Sequence, residues 1–398
     1  MIQQRPRIWH RSAHHICALL CCLLLVACTN AVEQQAQISP TAAPSPATAA
    51  SASAPSATTP TAEQASPTAQ TTEPTSTAPA SAEPAASATA PPAASATALA
   101  QPTIQEYPVP AGSRPHDVAP APDGTVWYTA QGSGKLGRLN PATGEVVEIP
   151  LGAGSAPHGV IVGPDGAPWI TDGGLNAIVR VDPQTSEVRQ FPLPAQSAQA
   201  NLNTASFDRQ GRLWFTGQSG WYGRLDPASG ELETFAAPRG RGPYGITTTP
   251  DGTIYYASLA GSHIARVDPE TAQATELEPP TAGQGARRVW SDSQGRVWVS
   301  EWNVGQVAVY NPATESWREW RLPGDSPRAY AVYVDDQDQV WLSDFTANAL
   351  VRFDPNQEDF EVFTLPTPQA FVRQILGRPG EVWGAESGVD KLVVIRTR

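Results

Sequence analysis

From Ile104 onward, short apolar stretches of four or five residues alternate with polar turn residues, and one aromatic recurs in each cycle. These aromatics are Trp127, Trp169, Trp214, Tyr255, Trp298, Trp341 and Trp383, spaced by 42, 45, 41, 43, 43 and 42 residues. A repeat of about 40–50 residues made of short strands is the signature of propeller blades. Each cycle reads as four strands. A turn precedes the aromatic, as in Asp123-Gly124, Asp165-Gly166 and Asp251-Gly252, and an apolar strand such as Thr125-Val126-Trp127-Tyr128 follows it. The third strand runs into Asn or Asp followed by Pro, six times from Asn140-Pro141 to Asp354-Pro355. Proline has no N–H for a ladder, so these dipeptides mark turns. The fourth strand carries more charge, as an outer edge should.

The pattern predicts an all-β, seven-bladed propeller over residues 104–398, and it also predicts how the ring closes. The last cycle stops after its third strand, Lys391 to Ile395. A surplus strand of the fourth type, Ile104-Gln105-Glu106-Tyr107-Pro108-Val109, stands at the start and resembles Glu361 to Pro366. The N-terminal strand should therefore complete the last blade.

The first hundred residues follow a different pattern. Arg5, Arg7 and Arg11 precede an apolar run from Ile16 to Val26, shorter than the roughly 20 residues a membrane helix needs. The run ends Leu25-Val26-Ala27-Cys28, which resembles the bacterial lipobox, in which cleavage precedes a lipidated cysteine. Residues 1–27 thus read as a lipoprotein signal peptide and Cys28 as the lipidation site. This places the chain in the cell envelope, lipid-anchored on the extracytoplasmic side. All four cysteines lie in or at the end of this leader, so the propeller must be held by its core and not by disulfides. Residues 28–103 are mostly Ala, Pro, Ser, Thr, Gln and Glu, a composition that cannot bury enough apolar surface to fold and reads as a tether.

Charge narrows the partners. The leader holds three of the 26 basic residues and no acidic one, leaving 23 basic against 38 acidic residues, a net charge of −15. A nucleic-acid partner would need clustered Lys and Arg, so that class is excluded. Docking on anionic lipid is disfavoured too, leaving the lipid anchor as the membrane contact. A monomer is expected.

Candidate chemistry comes from the repeat. The first strand of each blade lines the central channel. Hairpin pairing makes the residue eleven before the aromatic a near neighbour of the one three after it. The first slot holds His116, His158, Asn203, Tyr244, Arg287, Tyr330 and Val372; the second holds Ala130, Asp172, Gly217, Ser258, Glu301, Asp344 and Glu386. Arg114, Asn201 and Arg328 lie two residues before the first slot. The propeller has three histidines, and two of them share this slot in adjacent blades; His263 reads as surface. Arg114, Asn203, Tyr244, Arg287, Tyr330 and Glu386 are candidate ligand contacts. Asp172, Glu301, Asp344 and Glu386 are candidate oxygen donors to a divalent metal. No glycine-rich phosphate loop, zinc-ligand spacing or nucleophile elbow is present.

The stretch Pro157-His158-Gly159-Val160, Gly163-Pro164-Asp165-Gly166, Trp169-Ile170-Thr171-Asp172 and Arg180-Val181-Asp182-Pro183 resembles the repeat of the virginiamycin B lyase family. So do Gly242 to Ile246 and Arg212 to Gly217. The resemblance implies a seven-bladed propeller and a magnesium-dependent elimination that opens a cyclic ester, with histidine as base and late-blade carboxylates on the metal. Aligned directly, the family's late histidine and glutamate positions hold Tyr330, Ala370 and Val372, and only the final carboxylate, Glu386, remains. A site rotated around the ring would use His116 and His158 as catalytic residues with Asp172 beside the metal.

Three functions stay open. The first is a tethered propeller that binds a polar small molecule or glycan in its funnel. The second is a metal-assisted C–O lyase of the streptogramin B type, or a lactonase, with magnesium as cofactor. The third is a protein-interaction scaffold built on Trp221, Trp302, Trp317 and Trp320.

Overall fold

The computed structural model describes residues 101–397; the expected signal peptide, the expected lipidation site Cys28 and most of the expected tether lie outside them. Twenty-eight strands form seven four-stranded antiparallel sheets. The first strands are β2 (Pro115–Pro120), β6 (Pro157–Val162), β10 (Leu202–Phe207), β14 (Pro243–Thr248), β18 (Ala286–Ser291), β22 (Ala329–Val334) and β26 (Val372–Arg378). Six blades are built from consecutive strands. The seventh has the order β1 (Thr103–Pro108), β28 (Lys391–Arg396), β27 (Glu381–Glu386), β26, so the N-terminal strand does close the ring. It starts one residue earlier than the pattern indicated. Tyr107 pairs with Leu392 and packs on Trp383, and Glu106 joins Lys391 at 2.6 Å and the Thr367 amide at 2.9 Å.

The repeating aromatic is tryptophan in every blade but the fourth, which has Tyr255, and the tryptophan meets two demands at once. Its rings are buried between neighbouring sheets, with Trp127, Trp214, Trp298, Trp341 and Trp383 at most 1% exposed. Burying each stabilises the fold by about 2–3 kcal/mol. The indole N–H still needs an acceptor, and the turn supplies it. Trp214 donates to Asp208 at 2.8 Å, Trp298 to Asp292 at 2.9 Å and Trp341 to Asp335 at 2.8 Å; Trp169 uses Asp165 and Trp383 uses Glu381. The acidic turn residue is therefore a second partner of the aromatic as well as a turn former. The turn glycine takes positive φ, 90° at Gly124 and 79° at Gly295, where a side chain would be strained.

A second device joins blade to blade. In most blades a Thr or Ser stands two residues after the aromatic. Its hydroxyl accepts an N–H from its own first strand, as Thr129 does from Asp117 and Thr171 from Gly159. It then donates to a carbonyl of the next blade: Thr129 to His158, Thr171 to Asn203, Thr216 to Tyr244 and Ser300 to Tyr330. Each carbonyl belongs to a residue at the channel, so this interlock sets the height of the ring described below. In the fourth and seventh blades the position holds Ala257 and Ala385.

Candidate functional site

The first strands do not pair regularly with the second. Pro115 pairs with Ala130 and the next pair is Val118 with Tyr128, and the same irregularity recurs in every blade. The intervening residues form a bulge, which re-aims two successive side chains. The partner of the position three after the aromatic is therefore twelve residues before it, not eleven. In consequence the channel has two layers.

The seventh blade shifts the alignment. Trp127 pairs with Ala119, eight residues earlier, whereas Trp383 pairs with Leu376, seven earlier. The cause is the turn: Arg378 pairs with Glu381, leaving only Pro379 and Gly380 between them. Val372 thus sits opposite Glu386, as Pro115 sits opposite Ala130, and the channel residue of the last blade is Arg373. The sequence expectation of Val372 in that slot is corrected by this register.

The outer layer is His116, His158, Asn203, Tyr244, Arg287, Tyr330 and Arg373. The rings of His116 and His158 lie 3.7 Å apart, centroid to centroid. Asn203 Nδ2 is 3.2 Å from His158 Nε2, so Nε2 accepts and Nδ1 carries the proton; that Nδ1 is buried without a partner. The Tyr244 and Tyr330 hydroxyls meet at 2.7 Å across the channel. Arg287 donates to Tyr244 Oη at 2.9 Å and lies over the Tyr330 ring at 3.6 Å. Arg373 reaches Tyr330 Oη at 3.5 Å and donates to Ser387 at 2.7 Å.

The inner layer links side chains across the channel. Asp117 of the first blade and Arg288 of the fifth form a buried ion pair at 3.0 Å, and Arg288 also donates to Thr204 at 2.6 Å. Asp117 holds His116 Nδ1 at 2.7 Å, and Gln374 accepts the Val118 amide at 2.9 Å. These inner residues were missed because a strict alternation of faces would point them outward. The bulge is what turns them in.

The electrostatics follow from three guanidinium groups and one carboxylate in the ring. Burial and then Arg373, Arg288 and Arg287 push His116 well below its ordinary range. Burial and then His116 do the same to His158, so both imidazoles are neutral. Burial alone would raise Tyr330, but Arg287, Arg373 and Arg288 outweigh it and bring the phenol down to about 7. Tyr244 moves the other way, to about 12, through burial and the competing Tyr330 charge.

The other predicted residues take different places. Asp172 spends both oxygens locally, on Ser155 Oγ and the amides of Ala156, Gly174 and Leu175. Asp344 likewise accepts the amides of Arg328, Thr346 and Ala347. Glu301 and Glu386 are fully buried with no hydrogen-bond partner, and burial pushes each up to about 8. Arg114 is exposed, with its amide on Asp390. His263 is a correction: it is 1% exposed, not a surface residue. Trp221, Trp302, Trp317 and Trp320 are all half-buried against other rings or the core, so none is the strongly exposed tryptophan that would favour a scaffold.

Magnesium, which the family resemblance implies, needs about six oxygen ligands. Among the described residues, the metal-capable group that converges within 4.8 Å is His116, Asp117 and His158. It offers two nitrogens and a carboxylate already committed to Arg288, in a ring with two further guanidinium groups. Asp172, Glu301, Asp344 and Glu386 do not enter such a group. These residues do not fit magnesium.

A family model described as the virginiamycin B lyase family matches residues 92–316. The chain belongs to the virginiamycin B lyase family. Among solved structures, a streptogramin B lyase shares 22% identity and a TM-score of 0.69, covering 74% of this chain and 97% of its own. Virginiamycin B lyase from Staphylococcus aureus shares 20% identity and a TM-score of 0.69 over 74% of this chain and 99% of its own. A catalytically inactive histidine-to-alanine variant of that enzyme, with quinupristin, matches equally well. YCF48 bound to a D1 peptide has a TM-score of 0.60 at 15% identity, over 74% of this chain and 97% of its own. At these identities the structural likenesses show the propeller fold. Curated proteins yield no match. This virginiamycin B lyase family member thus keeps the propeller while Tyr330 and Val372 stand where the resemblance implied histidines, with Arg373 in the channel slot of the last blade.

Proposed function

We propose that this family member is an envelope-anchored capture module that binds a polar small molecule or glycan over the channel ring. The observation that carries the reading is convergence. Seven side chains from seven blades meet at one mouth, and Arg287 and Arg373 are its half-exposed members. The buried ion pair of Asp117 with Arg288 links the first blade to the fifth across the channel, which supports a ligand that rests on the ring and does not pass through it. The lipid anchor and the Ala/Pro-rich tether would hold the mouth clear of the membrane.

A second reading, elimination on a cyclic ester, is favoured by one observation. His116 Nδ1 is fixed by Asp117, which leaves Nε2 as a free lone pair, the arrangement of an oriented base. Against it stand the misfit to magnesium and the burial of His116, which is 3% exposed. Incubating the protein with magnesium and a streptogramin B, followed by chromatography with mass detection, separates the two. The capture reading predicts unchanged compound. A shifted peak of unchanged mass would show elimination, a gain of one water would show hydrolysis, and either would replace the capture reading by an enzyme.

A further inference from the structure

A cleft of about 390 Å³ lies on the rim beside Asn303, Gln306, Arg321 and Arg328. Arg321 there is already bonded to the Val304 and Asp325 carbonyls, and no buried unpartnered group points into the cleft. The buried acids Glu301 and Glu386 are 0% exposed. The ring mouth carries more.

The mouth is cationic in an acidic protein. The ring holds Arg287, Arg288 and Arg373 against the single carboxylate Asp117, within a chain of net charge −12. Asp117 is consumed by Arg288, so Arg287 and Arg373 face the opening with no carboxylate partner, the Tyr330 phenol being the acidic group beside them. Arg287 Nε and Arg288 Nε are buried without hydrogen-bond partners, Arg288 being 4% exposed. A buried cationic N–H without an acceptor is costly and marks a place where an acceptor belongs. Arg287 is also held in position, stacked on Tyr330 at 3.6 Å, with the Trp302 ring at 5.0 Å. Ser387 sets the tilt of Arg373. Two oriented guanidinium forks recognise carboxylate or phosphate oxygens, which accept paired N–H bonds. The lip is apolar: Phe371, 40% exposed, packs on Phe345, which stacks on Tyr330.

Resting on the capture reading, we infer that the ligand is an anion, its carboxylate or phosphate oxygens held between Arg287 and Arg373 over the Tyr330 hydroxyl. The apolar lip then receives the body to which that charged group is attached.

Calorimetric titration of the full chain with inorganic phosphate, citrate and the neutral trisaccharide maltotriose tests this. Phosphate or citrate should bind saturably. Arg287→Gln and Arg373→Gln should each weaken that binding at least tenfold, while Arg321→Gln on the rim leaves it unchanged. Arg287→Lys, which keeps charge but loses the fork, should fall between. If Arg287→Gln fails to fold by circular dichroism, the half-exposed Arg373→Gln decides. Anion binding that neither variant weakens overturns the inference. Maltotriose binding that depends on Arg287, with no anion binding, overturns the inference and leaves the capture reading standing. Binding of none of the three probes overturns the inference and counts against the capture reading as well.

Discussion

Removing the hydroxyl of Tyr330 probes the electrostatics of the ring at its centre. In the folded protein this phenol sits near 7, about 3 units below a free tyrosine, because Arg287, Arg373 and Arg288 together overcome the cost of burying its charge. A full shift of that size corresponds to about 4 kcal/mol of preference for the phenolate. Its sign is that of an acid depressed on folding: the stabilisation is complete above the unfolded value near 10 and is lost as pH falls through about 7. Titrating the 295 nm tyrosinate absorbance should therefore show one tyrosine ionising near pH 7, far ahead of the others. Tyr330→Phe should delete that step. Arg373→Gln removes a cation 3.5 Å from the oxygen and should move the step up by on the order of 1–3 units. Tyr244→Phe, which removes the 2.7 Å hydrogen bond to the phenolate, should also move it up, by less. The reasoning is refuted if no tyrosine ionises below pH 9, or if the early step survives in Tyr330→Phe.

Three further outcomes are expected. Glu301 and Glu386, raised to about 8 from 4.5 without partners, must destabilise the fold as pH climbs from about 5 to 8; each contributes a slope of about −1.4 kcal/mol per pH unit. Urea unfolding of Glu301→Gln across that window should show one such slope removed, and an unaltered slope would contradict the assignment. Deleting residues 103–108 strips a six-residue ladder and the buried Tyr107, a loss of about 3 kcal/mol or more; calorimetry should show a Tm lower by roughly 6–12 °C, and an unchanged Tm would deny the closure. Thr171→Val leaves the Gly159 amide and the Asn203 carbonyl unpaired and should cost about 2–4 kcal/mol in chemical denaturation; a cost below about 0.5 kcal/mol would show that the hydroxyl interlock is dispensable.

The fold was legible because its signals repeat. Aromatic spacing, acidic turns and Asn/Asp-Pro breaks each recur around the ring, and the missing seventh break, with the surplus strand at Ile104, revealed the closure. The outer ring from His116 to Tyr330 was legible for the same reason. What escaped was local and geometric. A bulge cannot be read from apolar alternation, so Asp117, Arg288 and Gln374 were missed. One two-residue turn at Pro379-Gly380 displaced Val372 by one position and hid Arg373. The carboxylate slot looked uniform, yet its members differ by a methylene. Asp172 and Asp344 reach the amides of their own loops, whereas Glu301 and Glu386 are left buried and unpaired. The Thr and Ser interlock carried a visible signal, a hydroxyl recurring two residues after the aromatic, and could have been found from it.

Ligand capture by this family member is proposed to take place at the channel mouth. The most direct test is a crystal structure of the protein with whichever polar compound most raises its melting temperature. Density is expected over Tyr330, with oxygen atoms within hydrogen-bond distance of Arg287 and Arg373. Density in the rim cleft beside Arg321, or along the outer strands with the ring bare, would contradict it.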